Sequence, residues 1–150
     1  MCKHSILLLS SNLGGDDCGQ FSGFHSALLK SFQNTDSRKY FNGDFKGADI
    51  FMLVGGRIDA LDEEALGPRK PRLGQDGWFT IRYYIPYKSW HGKPLTEVLA
   101  VYADAVGECL ELMLGRALKN KYVSDELLLR ADIESAIDNF KKSFPYYRKK

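Results

Sequence analysis

Long apolar runs are missing from this chain of 150 residues, and nothing approaches the roughly 20 consecutive apolar residues that a membrane helix needs. The N-terminus, MCKHSILLLSSN, carries a basic residue ahead of Ile6-Leu7-Leu8-Leu9. That short run falls below the about 7–15 apolar residues of a signal peptide, and it reads as a first buried strand. Cysteine is scarce as well. Cys2, Cys18 and Cys109 form an odd set without framework spacing, which argues against a secreted disulfide scaffold. A reduced, cytoplasmic protein with three free thiols is the expectation. His4, His25 and His91 are too scattered for a metal site. Charge of one sign is lacking too, the net being +2. The basic stretches Arg69-Lys70-Pro71-Arg72 and Lys141-Lys142 through Arg148-Lys149-Lys150 are matched by acid at Asp59, Asp62, Glu63 and Glu64, and again at Asp125, Glu126, Asp132, Glu134 and Asp138. With that balance, nucleic acid is disfavoured as a partner.

What is present is enough apolar residue for a substantial core in a single domain, residues 1–150, without linkers or repeats. Ser5 to Leu9 is a candidate strand, and Ser10 to Gly19 a polar, Gly-rich turn. Phe21, Phe24, Leu28 and Phe32 recur at steps of three and four, so Gln20 to Gln33 is expected to be a helix. Tyr40 and Phe41 read as a strand turning at Asn42-Gly43. Ala48 to Ile58 reads as a strand central in the sheet or covered on both faces, bent at Gly55-Gly56. The loop from Asp59 to Gly77 is long and rich in turn residues.

The C-terminal half is helical in pattern. Leu95, Val98, Tyr102, Val106, Cys109, Met113 and Leu118 trace one stripe behind Pro94 in the first turn, with Gly107 and Gly115 expected at close packing contacts. Ser124 is the expected N-cap of a second helix, whose inner stripe is Leu129, Ile133, Ala136, Ile137, Phe140 and Phe144 before Pro145. These elements predict an α+β fold with a mixed, mainly antiparallel sheet, helices packed on one side of it, and two C-terminal helices. The strands near 48–58 and 78–87 are expected to pair antiparallel across the wide loop.

Groups that could carry chemistry do not assemble into a motif. Cys18 and His25 lack a third group to orient the imidazole or any sign of a lowered thiol pKa, so a turn cysteine beside a helix-surface histidine is the preferred reading. Asp16 and Asp17 have no further oxygen ligands at loop spacing. Gly14, Gly15 and Gly19 fit neither the dinucleotide pattern nor the P-loop. No catalytic activity, cofactor or metal is expected.

The most informative stretch is WFTIRYYIPYKSW, Trp78 to Trp90. Phe79, Ile81, Tyr83, Ile85 and Tyr87 alternate with Trp78, Thr80, Arg82, Tyr84 and Pro86, the period of a strand with one buried face. The second set is rich in the residue types that anchor protein interfaces. Two readings of that face stand open: a contact surface, or core beneath a further helix. The order of a strand bearing Ile85-Pro86-Tyr87-Lys88-Ser89-Trp90, a long amphipathic helix and a second helix resembles small bacterial immunity proteins encoded beside polymorphic or contact-dependent inhibition toxins. A hairpin from Gly56-Arg57-Ile58-Asp59 to Trp78 with its wide loop adds to the likeness, which covers about residues 48–143 and leaves 1–47 unmatched.

The resemblance implies binding and neutralising one cognate toxin domain in the cytoplasm. The expected toxin is a nuclease, whose surface would be basic because its substrate is a polyanion; no membrane partner is expected, and a homodimer stays open. It transfers no functional residues. From the residues themselves, Trp78, Arg82 and Tyr84 are candidate anchors, and Asp59, Asp62, Glu63 and Glu64 are candidates to face a basic toxin. The alternative is a single-stranded nucleic-acid-binding protein of the Whirly type, in which exposed aromatic and basic residues would stack bases and contact phosphates.

Overall fold

The computed structural model describes residues 5–13, 20–33, 35–54, 71–85 and 87–142. In chain order the elements are β1 (Leu7–Leu13), α1 (Gln20–Phe32), α2 (Ser37–Tyr40), β2 (Gly47–Val54), β3 (Arg72–Leu73), β4 (Trp78–Ile85), α3 (Leu95–Lys119) and α4 (Glu126–Lys142). A single 3₁₀ turn, Tyr87–Ser89, links β4 to α3. No described helix is long and apolar enough to cross a membrane.

The fold is α+β with a four-stranded mixed sheet in the order β1-β2-β4-β3. It is not mainly antiparallel. β1 pairs parallel with β2, β2 pairs parallel with β4, and the short β3 alone is antiparallel, to β4. The expected neighbours β2 and β4 do lie side by side, but in the opposite sense. The reason is that β3 occupies the link between them and makes the hairpin with β4 itself. Antiparallel strands can be joined by a tight turn, whereas parallel strands need a longer crossover, and α1 supplies one between β1 and β2.

One face of the sheet carries Leu7, Leu9, Ala48, Ile50, Met52, Phe79, Ile81 and Ile85, all buried. The helices gather on that face. Three rings mark their meeting point: Phe24 of α1 lies 5.5 Å from Tyr102 of α3 and 6.3 Å from Phe140 of α4, and the last two lie 5.8 Å apart. Of the expected α1 stripe, Phe24, Leu28 and Phe32 are fully buried, and the side chain of Phe21 lies outside the described residues. The α3 stripe is buried from Val98 to Met113, while Leu95 at its start is exposed. Leu129, Ala136 and Phe140 bury the inner face of α4, with Ile133 and Ile137 packed against the core.

Local chemistry sets the helix ends. Pro94 is the N-cap of α3 rather than a first-turn residue. At the C-terminus Lys121 takes a left-handed φ of 61°. There the Tyr122 N–H donates to the Ala117 carbonyl at 2.8 Å and the Lys121 N–H to Leu118 at 3.1 Å, a Schellman closure with lysine where glycine is usual. The N-cap of α4 is Asp125, not Ser124: its carboxylate accepts the Leu128 N–H at 3.1 Å. Ser124 instead donates its N–H to the Tyr40 carbonyl at 2.7 Å. Tyr40 and Phe41 do not form a strand. Tyr40 ends α2, its hydroxyl donating to Asp132 of α4 at 2.6 Å, and Phe41 makes an isolated bridge to Val123. Gly107 and Gly115 are not packing contacts, since a Cβ at either would meet nothing within 4 Å. The bend at Gly55-Gly56, together with Phe144 and Pro145, lies outside the described residues.

Candidate binding surface

Alternation along β4 divides its residues as the sequence pattern predicts. Phe79, Ile81 and Ile85 are buried under the helices, and Tyr83 joins them with its hydroxyl donating to Glu108 of α3 at 2.9 Å. Burial, with that hydrogen bond and the charge of Glu108, pushes the Tyr83 phenol up to about 12. Arg116 of α3 lies 5.7 Å over the Phe79 ring, which closes this side. Trp78, Arg82 and Tyr84 are half-buried and Thr80 is exposed on the other side. No described helix packs there, so among the described residues the face reads as surface rather than as a second core.

Strand register extends that surface across the sheet. Residues opposite one another on parallel neighbours share a face, so Leu8, Asp49 and Thr80 form one row, with Arg72 of β3 at its end. Ser10, Phe51 and Arg82 form the next row, and Tyr84 stands one step further on β4. Leu8 is 42 % exposed, a large apolar side chain on a sheet edge. The Arg82 guanidinium sits 5.6 Å over the Phe51 ring, a cation–π contact of about 0.5–1 kcal/mol at a partly exposed site.

Trp78, Arg82 and Tyr84 are therefore brought together, and Phe51, Asp49 and Leu8 join them. Sequence reasoning missed these last three. Phe51 lies inside the continuous apolar run Ile50 to Val54, which shows no alternation to reveal its face. The polar Asp49 just before that run was the available signal. Burial, and then the charge of Asp76 in the β3–β4 turn, raise the Asp49 carboxyl above the usual range. Asp59, Asp62, Glu63 and Glu64 lie outside the described residues.

At ~3.3 Å per residue and ~4.8 Å between strands, the face from Trp78 to Tyr84 and from β1 to β3 spans roughly 300 Å². A standard interface buries about 800 Å² on each partner, so this face can supply the centre of a contact but not its whole extent.

Other groups do not converge. His25 on α1 has its Nδ1 buried without a hydrogen bond among the described residues, and burial lowers its pKa. Cys18, its partner in the nucleophile reading, is outside the described residues, as are Asp16, Asp17, His4 and the glycines of the first turn. Among the described residues no group of three or more His, Cys, Asp or Glu side chains is placed to hold a metal ion. A shallow cleft of about 210 Å³ beside α2 is lined by Arg38, Phe41 and Lys46. The Arg38 guanidinium there is held by Asp36 at 3.0 and 3.2 Å, which offsets its charge. Comparison with protein-family models, curated proteins and solved structures gives no match for this chain.

Proposed function

We propose that this protein is a stoichiometric binding protein of the immunity type, acting in the cytoplasm on one cognate toxin domain, and that the toxin docks on the sheet face opposite the helices. The observation that carries the reading is the set Leu8, Phe51, Trp78, Arg82 and Tyr84 on a face that no described helix covers. Aromatic and Arg side chains dominate interface energetics, the aromatics because they bury much area while losing little rotamer freedom, and the Arg82 guanidinium lies 5.6 Å over the Phe51 ring. The resemblance of the Ile85 to Trp90 strand end and its following helices to toxin-immunity proteins supports the choice of partner. Binding of this kind needs no reactive group and no turnover. If the toxin is a nuclease, its substrate-binding surface is basic, and Asp49 together with the acidic stretch Asp59, Asp62, Glu63 and Glu64 matches it in sign.

The test is co-expression of the toxin encoded beside this gene, with and without the protein, followed by isolation of a one-to-one complex. Phe51→Ala, Trp78→Ala or Tyr84→Ala should raise the dissociation rate, by a free energy of about 2 kcal/mol or more at a hot spot. Neutralising Asp59, Asp62, Glu63 and Glu64 together should slow association and flatten its salt dependence. Equal killing in both cultures with no complex sinks the reading.

The Whirly-type alternative draws on the same geometry, because Phe51, Trp78, Arg72 and Arg82 on an open sheet also suit base stacking and phosphate contact. Asp49 in the middle of the face opposes it, since a carboxylate repels a polyanion. Binding of a labelled single-stranded oligonucleotide that weakens steeply between two salt concentrations would favour this alternative.

A further inference from the structure

The two edges of the sheet are built differently. At the β3 edge the pairing strand is two residues long, follows Pro71 and carries the exposed Arg72. Short strands, proline and charge all discourage a further strand from adding. The β1 edge has none of these devices. Its seven residues, LLLSSNL, contain no charge and no proline. The Ala48 N–H donates to the Ile6 carbonyl at 2.9 Å while Leu7 stands opposite Ala48, and this sets the phase of the ladder. By the alternation of a parallel pair, Leu8 and Ser10 turn their backbone groups toward β2, and Leu9 and Ser11 turn theirs outward. Among the described residues neither Leu9 nor Ser11 has a hydrogen-bond partner for those outward groups.

The helix that packs on β1 continues the same character. β1 and α1 together hold twenty residues and a single formal charge, Lys30, where the chain's 27 % charged content would give about five. Among the described residues, the exposed ones of α1 are Gly23, Ser26 and Lys30, with Gln33 just beyond its end, and a Cβ at Gly23 would meet nothing within 4 Å. Depletion of charge marks the centre of protein interfaces. A two-fold contact is stricter still, because each residue near the axis meets its own copy and like charges would face each other. An uncharged strand with outward backbone donors and acceptors meets that condition.

We propose that β1 pairs antiparallel with β1 of a second copy about a two-fold axis near Ser10, joining the two sheets into one of eight strands. In that register Leu9 stands opposite Ser11 of the second copy, and each pairs its outward groups with the other's. Leu8 comes opposite Asn12 of the second copy and loses much of its exposure. The two open faces become continuous, roughly doubling the ~300 Å² that one chain offers to a partner. The dimer stands independently of the toxin reading, and its test uses the protein alone.

Sedimentation equilibrium of the full chain at about 100 µM should give twice the mass of the chain, reverting toward a single copy on dilution. Ser10 is exposed, so Ser10→Lys and Ser10→Glu each place like charges across the axis while sparing the core. Each variant alone should be monomeric at the same concentration, with an unchanged far-UV spectrum and a dimer dissociation constant at least about tenfold weaker. An equimolar mixture of the two should recover the dimer mass, which misfolded chains would not do. A monomeric natural protein, variants that stay dimeric, or a mixture that stays monomeric each overturns the proposal.

Discussion

Replacing Gly47 with alanine should be among the most damaging single changes in the sheet, and replacing Gly107 the same way should help. Gly47 opens β2 at a φ of 135°, a conformation that residues with a Cβ rarely adopt. A Cβ there would fall on the carbonyl of Ile6, 2.8 Å from its carbon and from the Ile6 Cα. Neither atom has room to yield. Ile6 is fully buried, its N–H bonds Thr35 Oγ1 at 3.3 Å, and its carbonyl takes the first ladder bond from Ala48. Backbone strain of about 1–3 kcal/mol adds to an overpacking cost of about 1–3 kcal/mol, for a loss of roughly 2–6 kcal/mol. Gly107 lies within α3 with nothing within 4 Å of its missing Cβ. There alanine gains about 1 kcal/mol of helix propensity.

Urea unfolding followed by far-UV circular dichroism reads both. With a slope of about 2 kcal/mol per molar, Gly47→Ala should lower the midpoint by roughly 1–3 M and Gly107→Ala raise it by about 0.5 M. A Gly47→Ala midpoint within about 0.3 M of the natural protein would refute the close approach of β1 and β2 at Ile6. A lowered midpoint for Gly107→Ala would refute the open outer side of α3. Because Gly47 stands opposite Trp78, a damaged junction should also disturb the candidate surface.

Lys121→Gly should stabilise the protein by about 1 kcal/mol in the same melts, because glycine carries no penalty at a left-handed φ of 61°, and a loss would contradict the Schellman closure of α3. Burial, then the charge of Glu108, pushes the Cys109 thiol up to about 12, so a thiol reagent near neutral pH should label it only as the protein unfolds; rapid labelling at Cys109, located by mass spectrometry, would contradict its burial. Asp49→Asn should raise stability at neutral pH: the folded carboxyl is raised, so its favourable term is fully present below the unfolded carboxylate range and is lost as pH rises through the folded value. The gap between natural and variant proteins should therefore close in acid, and a gap that widens in acid would reverse the assignment.

The helices were legible because their signal is local. Phe24, Leu28 and Phe32, and Val98 through Met113, recur with the helical period, and burial of that stripe needs only some core beneath it. Strand faces were legible for the same reason: Phe79, Ile81 and Ile85 are buried as alternation requires. The α4 cap was missed by one residue, since Ser124 and Asp125 are both good cap types and the choice is made by the bond to Leu128. Strand direction was not legible in the same way. It depends on what fills the links, and the two residues of β3 are too few to show a period, so the β3–β4 hairpin was mistaken for a β2–β4 hairpin. The order strand, helix, strand across β1, α1 and β2 is the pattern that parallel pairing leaves in a sequence.

Half of the candidate surface followed from the alternation that groups Trp78, Arg82 and Tyr84, but whether anything covers them is a matter of tertiary packing that no local period encodes. Once the helices are placed together around Phe24, Tyr102 and Phe140, the opposite face is left with Leu8, Phe51, Trp78 and Tyr84 beside a carboxylate that resists ionising. A face shaped for stability and solubility alone would carry Lys, Glu and Thr at those positions, because half-buried aromatics forgo part of their burial and a half-buried Asp49 works against folding at neutral pH. Residues that break the local rule without strengthening the fold are expected where a contact is made. The same argument applies to the uncharged β1 edge, where among the described residues a second strand can take the place of the missing gatekeepers.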